Sequence, residues 1–211
     1  SRAICYDNAI SIDLSESHPD KSVREKFKLK ADLLTPISKS WSTDVGVEVA
    51  SLGIQIHGGM GFVEETGVAQ FFRDSRIAPI YEGTNGIQAI DLVMRKLLIS
   101  DGEGLKNFMS EFYNTLSMCI KENNKDFQLI SKNFSDAFDS VKISTEKLSQ
   151  RIKSNENYSA LFVASDYLNL LGITAGAHYL IKGALSLKDH ENRDFFESKK
   201  DMAIFFSTQI L

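Results

Sequence analysis

Apolar residues recur every three or four positions along nearly the whole chain, the spacing that lines one face of an α-helix. Ala3, Ile4, Ala9, Ile10 and Leu14 outline a first helix, and a polar hinge at Ser15–Lys21 containing Pro19 ends it. Phe27, Leu33, Leu34, Ile37, Trp41, Val45, Val49 and Leu52 then form one stripe, predicted to be buried, on a helix from about Val23 to Gly53. Pro36 falls inside it and predicts either a kink or a helix start. A glycine-dense loop follows, with Gly58, Gly59, Gly61 and Gly67. Thr66 reads as the N-cap of a short helix through Phe71, Phe72 and Arg73 that Pro79 stops. Thr84 or Asn85 reads as the N-cap of the next, which carries Ile87, Ile90, Leu92, Val93, Leu97 and Leu98.

Past a short linker at Ser100–Gly104 the stripes become richer in phenylalanine. Leu105, Phe108, Met109, Phe112 and Leu116 mark one amphipathic helix, and Phe127, Ile130, Phe134, Phe138, Val141, Leu148 and Ile152 mark a second. The segment from Tyr158 to about Leu187 is apolar nearly all round, the signature of a central bundle helix, with Gly172 and Gly176 allowing close approach. Phe195, Phe196, Met202, Phe205 and Phe206 mark the last helix. The expected fold class is all-α: a helical bundle over residues 1–99 and a second over residues 105–211.

Composition narrows the function classes. The 211 residues are 43% hydrophobic and 25% charged, enough apolar content for a real core. A formal net charge of −4 lacks the basic footprint of a nucleic-acid binder. Cys5 and Cys119 stand far apart with no CxxC spacing, which suits reduced thiols and a cytoplasmic location, and no metal-ligand set is spaced for a site. No long uncharged apolar run spans a bilayer, and Glu197 and Asp201 dilute the positive face of the last helix, so membrane contact is not expected. The chain opens without methionine and inside a helical pattern, which leads us to expect a piece of a longer protein.

Chemistry concentrates between Gln55 and Gln88. Glu82 sits between an apolar approach, Ile77 to Tyr81, and the small residues Gly83 and Thr84. A carboxylate with apolar neighbours is costly to keep ionised, which suits a general base for a carbon acid. Gly83 lacks the Cβ that would keep a flat ligand from the backbone. The coming helix N-terminus favours negative charge and opposes the effect of burial. Taken alone, Glu82 is an ordinary loop carboxylate, and the glycine loop is a helix C-cap with a turn. His57 reads as structural, and His18, His178 and His190 as solvent or helix-surface residues. Arg73 with Asp74 reads as an ion pair fixing the loop before Glu82.

Three blocks in order, QIHGGMGF (Gln55–Phe62), FFRDSRI (Phe71–Ile77) and IYEGT (Ile80–Thr84), resemble the C-terminal helical domain of acyl-CoA dehydrogenases. The wording APIYEGTNGIQ and the helical tail are similar to the subgroup with an appended C-terminal helical domain. The resemblance implies α,β-dehydrogenation of an acyl-CoA thioester with FAD as hydride acceptor. It gives Glu82 the role of catalytic base, and its backbone N–H that of a donor to the thioester carbonyl. Tyr81 and Gly83 are implied to contact substrate and Thr84 to lie near the flavin. Gln55, Gly58 and Gly59 are implied to meet the FAD diphosphate of a neighbouring subunit. It further implies a homo-oligomer, dimer or tetramer, with electron-transfer flavoprotein as acceptor, and an isolated 211-residue piece that is inactive and holds no FAD tightly. The competing expectation is a non-catalytic helical assembly or docking module with a dehydrogenase-like fold.

Overall fold

A computed structural model describes all 211 residues, and it contains helices and turns but no strand. The chain forms α1 (Arg2–Ser17), α2 (Lys21–His57), α3 (Gly59–Phe62), α4 (Val68–Ser75), α5 (Asn85–Asp91), α6 (Glu103–Ile120), α7 (Lys125–Lys153), α8 (Asn157–Phe162), α9 (Ala164–Ser186) and α10 (Arg193–Gln209). A 3-10 turn at Glu64–Thr66 precedes α4, and a π turn at Leu92–Lys96 extends α5.

Asp20 starts α2 by accepting the Ser22 amide at 2.8 Å, so the Pro19 hinge and the helix start are one device. The helix then runs through Pro36 for 37 residues, about 55 Å at 1.5 Å per residue. Pro36 is buried within it and marks no helix start. Only the first part of the predicted stripe is buried: Leu33, Leu34, Ile37 and Trp41 are inside, whereas Val49 and Leu52 are 60% and 53% exposed. The helix outruns its partners.

Helix α9 is the axis of the molecule, with α2, α5, α6, α7 and α10 all packed on it, as its all-round apolar pattern requires. The predicted single helix over Tyr158–Leu187 is instead two, because the chain turns at Val163 and separates α8 from α9. Gly172 and Gly176 accept the indole of Trp41 from α2. A Cβ on Gly172 would fall 2.5 Å from Trp41 Cγ, and one on Gly176 would fall 2.8 Å from Cη2 of the same ring. Trp41 also meets Phe206 of α10 edge-on, ring centroids 6.5 Å apart. One continuous apolar core therefore runs from Ile4 through the joint to Ala203.

The joint itself is a run of left-handed residues, Ser100, Asp101 and Gly102, where the linker was expected. The first turn of α6 then lies so close to α2 that a Cβ on Gly104 would be 3.0 Å from Leu29 O.

Candidate functional site

The turn carrying Glu82 is held from below by Asn85. Its side-chain amide donates to Ser40 O (3.2 Å), Thr43 Oγ1 (3.0 Å) and Asp44 Oδ1 (2.8 Å), and its Oδ1 accepts from Lys39 Nζ at 2.8 Å. One side chain thus fastens the turn to the middle of α2. The sequence reading saw Asn85 only as a possible cap. A polar residue that begins a helix while the preceding Thr84 does the capping is the one signal that could have singled it out. Thr84 is the N-cap of α5, its hydroxyl accepting the Ile87 amide at 3.3 Å, and Pro79 is buried at the start of the turn, its carbonyl accepting the Asn85 amide at 3.0 Å.

This anchoring supports an uncommon backbone. Glu82 has φ +53° and Gly83 φ +84°, two consecutive left-handed residues. For glycine the conformation is free; for glutamate it costs roughly 1–2 kcal/mol. A strained non-glycine residue of this kind persists only where its surroundings impose it, and such residues gather at functional sites. The turn leaves the amides of Glu82, Gly83 and Thr84 without a hydrogen bond in the chain, three adjacent donors at one exposed point. The Glu82 carboxylate makes no ion pair or hydrogen bond, and its carbonyl receives only a long contact from Gln88 Nε2 at 3.5 Å.

The expected burial of Glu82 is not present within the chain. Glu82 is exposed, and the residues of its apolar approach, Ile77, Ile80 and Tyr81, are each more than half exposed. Glu82 lines none of the three principal cavities of the fold.

The glycine loop is closed by Thr66. Its hydroxyl donates to Met60 O at 2.6 Å rather than capping α4, whose N-cap is the left-handed Gly67. Gly61 is the glycine that packing demands, since a Cβ there would lie 2.3 Å from Ile54 O. Gly58 and Gly59 face open space, Gly58 at φ +59°. The Gly59 amide makes no hydrogen bond, and Gln55 beside it is exposed. A free amide and two glycines with no side chain to block approach fit a phosphate oxygen, the group that a diphosphate cofactor would bring.

Arg73 fixes this loop, though not through Asp74. Its guanidinium grips Glu64 with two bonds, 2.8 and 2.9 Å, while Asp74 accepts from Gln70. His57 makes a structural bond from its ring to Gly53 O at 2.8 Å. His178 is the clear correction among the histidines, for it is 1% exposed and not on the surface. Cys119 is buried, its thiol pushed up to about 12 by desolvation and then by Glu122, so it is inert.

The two parts of the predicted site do not meet within one chain. Asn85 ties the Glu82 turn to α2 near Asp44, whereas Gly58 ends that helix, roughly 20 Å farther along its axis at 1.5 Å per residue. Exposed apolar residues accompany each part: Ile56 and Phe62, both more than 70% exposed, flank the glycine loop, and Ile77, Ile80 and Tyr81 lead into the turn.

Comparison with known proteins gives this arrangement its family. Residues 21–98 match the family "Acyl-CoA dehydrogenase, C-terminal domain", and residues 108–211 match "Acetyl-CoA dehydrogenase C-terminal like". Over 107 residues, 51% of the chain, it is 51% identical to 3-methylmercaptopropionyl-CoA dehydrogenase of Ruegeria pomeroyi, covering 18% of that protein. A butyryl-CoA dehydrogenase of Syntrophomonas wolfei is 31% identical over 141 residues, 66% of the chain and 23% of the relative. The chain therefore spans about a fifth of the length of these relatives. The crystal structure of Caenorhabditis elegans ACDH-11 in complex with C11-CoA shares the fold, with a TM-score of 0.78 at 20% identity, over 97% of this chain and 32% of that one. From the stripe of α2 to the end of α10, the chain belongs to the acyl-CoA dehydrogenase family and corresponds to its C-terminal portion.

Proposed function

We propose that this chain supplies the catalytic base of a FAD-dependent acyl-CoA dehydrogenase, which removes hydrogen from the α and β carbons of an acyl thioester. The observation that carries the reading is the strained turn at Glu82: an unpaired carboxylate beside three unpaired amides. Glu82 takes the α-proton. Its own N–H donates to the thioester carbonyl, where charge develops as that proton leaves, a contribution of about 3 kcal/mol for one such donor. Gly83 and Tyr81 border the substrate, and Thr84 lies toward the flavin. FAD, when bound, supplies the acceptor for the β-hydride.

Exposure of the turn is compatible with this role, because burial of Glu82 would come from whatever covers the apolar surface around it. Excluding water there would raise its proton affinity toward that of an effective base. The separation of the glycine loop from the turn supports a reading in which Gln55, Gly58 and Gly59 hold the FAD diphosphate of a neighbouring subunit in a homo-oligomer. Alone, the 211-residue chain is proposed to hold no FAD tightly and to lack activity. Electron-transfer flavoprotein is the proposed acceptor.

The test is Glu82→Gln in the intact enzyme, mixed with short, branched and sulfur-containing acyl-CoA thioesters. Flavin reduction should slow by roughly 10²- to 10⁴-fold, the usual worth of a positioned base, while acyl-CoA binding persists. Unchanged reduction kinetics overturn the assignment of the base. An intact protein that carries no flavin at all favours the assembly module instead.

A further inference from the structure

Where α2, α6 and α9 come together they border a cavity of about 410 Å³ that opens to solvent. Its wall is polar for an inter-helix space. Lys26 and Lys30 enter from α2, Asn107 and Asn114 from α6, and His178 and Lys182 from α9. His178 is 1% exposed, and neither of its ring nitrogens has a hydrogen-bond partner. Its ring is instead packed by aromatic rings, with centroids 5.1 Å to Phe112 and 4.8 Å to Tyr179. A buried polar group left unsatisfied costs roughly 1–3 kcal/mol, and native proteins hold few of them.

The charges around the cavity are unbalanced in one direction. Lys30 is held between Asp7 and Glu111, each at 2.8 Å, and Tyr179 donates its hydroxyl to Asp7. Burial alone would lower the proton affinity of Lys30, but the two carboxylates outweigh it and keep the ammonium charged. Both carboxylates are thereby committed. Lys26 and Lys182 form no ion pair, and the amides of Asn107 and Asn114 form no hydrogen bond. Three lysines against two carboxylates leave a net positive site with four uncommitted donor groups around an orphan imidazole.

We propose that this cavity binds a small phosphate monoester, with Lys26 and Lys182 meeting its charge and Asn107 and Asn114 donating to its oxygens above the buried His178 ring. Phosphate fits better than a single carboxylate. It carries about −1.5 to −2 charge and three strong acceptor oxygens, which two free ammonium groups and several neutral donors match. The cavity also exceeds the size of a bare phosphate ion and sets apolar surface from Phe27, Phe108 and Met118 beside the donors, where an organic group can lie. Desolvation first, then Lys182 and Lys30, hold His178 far down at about 3, so the ring is neutral and adds no charge of its own.

Isothermal titration calorimetry of the intact protein with inorganic phosphate and with glycerol 3-phosphate tests the site, with acetate as the carboxylate control. Saturable binding of either phosphate compound is expected, and acetate should give no saturable heat. Tighter binding of the ester points to an organic ligand, and equal binding points to free phosphate. The double variant Lys26→Gln, Lys182→Gln, which alters only exposed side chains, should weaken binding about tenfold or more, as loss of two charge-assisted contacts implies. The histidine ring nitrogens, followed by NMR during the titration, should shift for His178. No saturable heat up to on the order of 10 mM phosphate, a limit near −3 kcal/mol, overturns the proposal, as does an affinity indifferent to the lysine pair.

Discussion

Two regions of the molecule, the helix interior beyond Glu103 and the far end of α2, treat the same kind of residue in opposite ways. Beyond Glu103, Phe108, Phe112, Phe127 and Phe134 all lie inside, stacked against one another at ring separations of 4.7 to 5.8 Å where they meet. Before Ser100, Ile56, Phe62, Phe71, Ile77 and Ile87 stand more than half exposed. The spacing of apolar residues along the sequence is helical in both. What differs is the company: α6, α7, α9 and α10 face each other across a shared interior, whereas the far end of α2, with α3 and α4, has no helix to cover it. Exposed apolar residues mark places for contact, and here they flank both the Glu82 turn (Ile77, Ile80) and the glycine loop (Ile56, Phe62). The interior between α6, α7, α9 and α10 keeps its phenylalanines for the fold, although Tyr158 and Phe162 of α8 stand 91% and 89% exposed. The far end of α2 presents its apolar residues beside the glycine loop.

The sharpest way to break this contrast is Glu82→Gln. If the first half carries the chemistry, flavin reduction in the intact enzyme falls by roughly 10²- to 10⁴-fold, and thermal stability stays within about 0.5 kcal/mol because the side chain is exposed and unpaired. A large loss of stability with little loss of rate would invert the assignment.

Next in size is Gly172→Ala, which tests whether the halves are one cooperative body. Alanine favours a helix by about 1 kcal/mol over glycine, but its methyl group would stand 2.5 Å from a rigid indole. Overpacking of this kind costs about 1–3 kcal/mol or more, and the net change should be destabilising. Denaturant unfolding followed by Trp41 fluorescence and by far-UV dichroism should show one shifted transition. Two separated transitions would show that the halves unfold independently despite the shared core.

The all-α architecture, the Pro19 hinge and the dominance of α9 were legible in the sequence, because periodicity and capping act locally. The fate of Val49 and Leu52 was not, since a helical stripe says which face is apolar and not whether a partner reaches it. Glu82 stood out through its neighbours, but its left-handed backbone and the hold of Asn85 on Ser40, Thr43 and Asp44 join residues more than forty positions apart. His178 was misread for the same reason: a lone histidine in an apolar helix carries no mark of which way it faces.

That histidine gives a third effect, read along the pH axis. Its neutral form is favoured by the fold, with the value depressed from 6.5 to about 3, so the unfolded chain takes up a proton first as pH falls. Stability is therefore complete above about pH 6.5 and is lost on acidification toward pH 3, by about 1.4 kcal/mol per pH unit within that window from this group. In phosphate-free buffer, His178→Leu should flatten the fall in unfolding free energy between pH 6.5 and 4.5. A slope as steep as that of the parent protein would mean that other groups, carboxylates such as Asp20 among them, account for the acid sensitivity.

The smallest expected effect lies back in the exposed half. Arg73 grips Glu64 with two bonds and Gln70 with a third at 2.7 Å, which ties α4 to the glycine loop. Glu64 is 77% exposed and Arg73 47%, and ion pairs so wet are worth about 0–1 kcal/mol. Arg73→Ala should therefore shift the unfolding midpoint little, and less still in high salt, where the pair is already screened. Its effect should appear instead in the loop: faster amide exchange at Gly58 to Gly61 and, in the intact enzyme, weaker retention of FAD during dialysis. A stability loss well above 1 kcal/mol would mean that the ion pair holds this half of the fold together, and that the open surface around the site is less self-sufficient than its helices suggest.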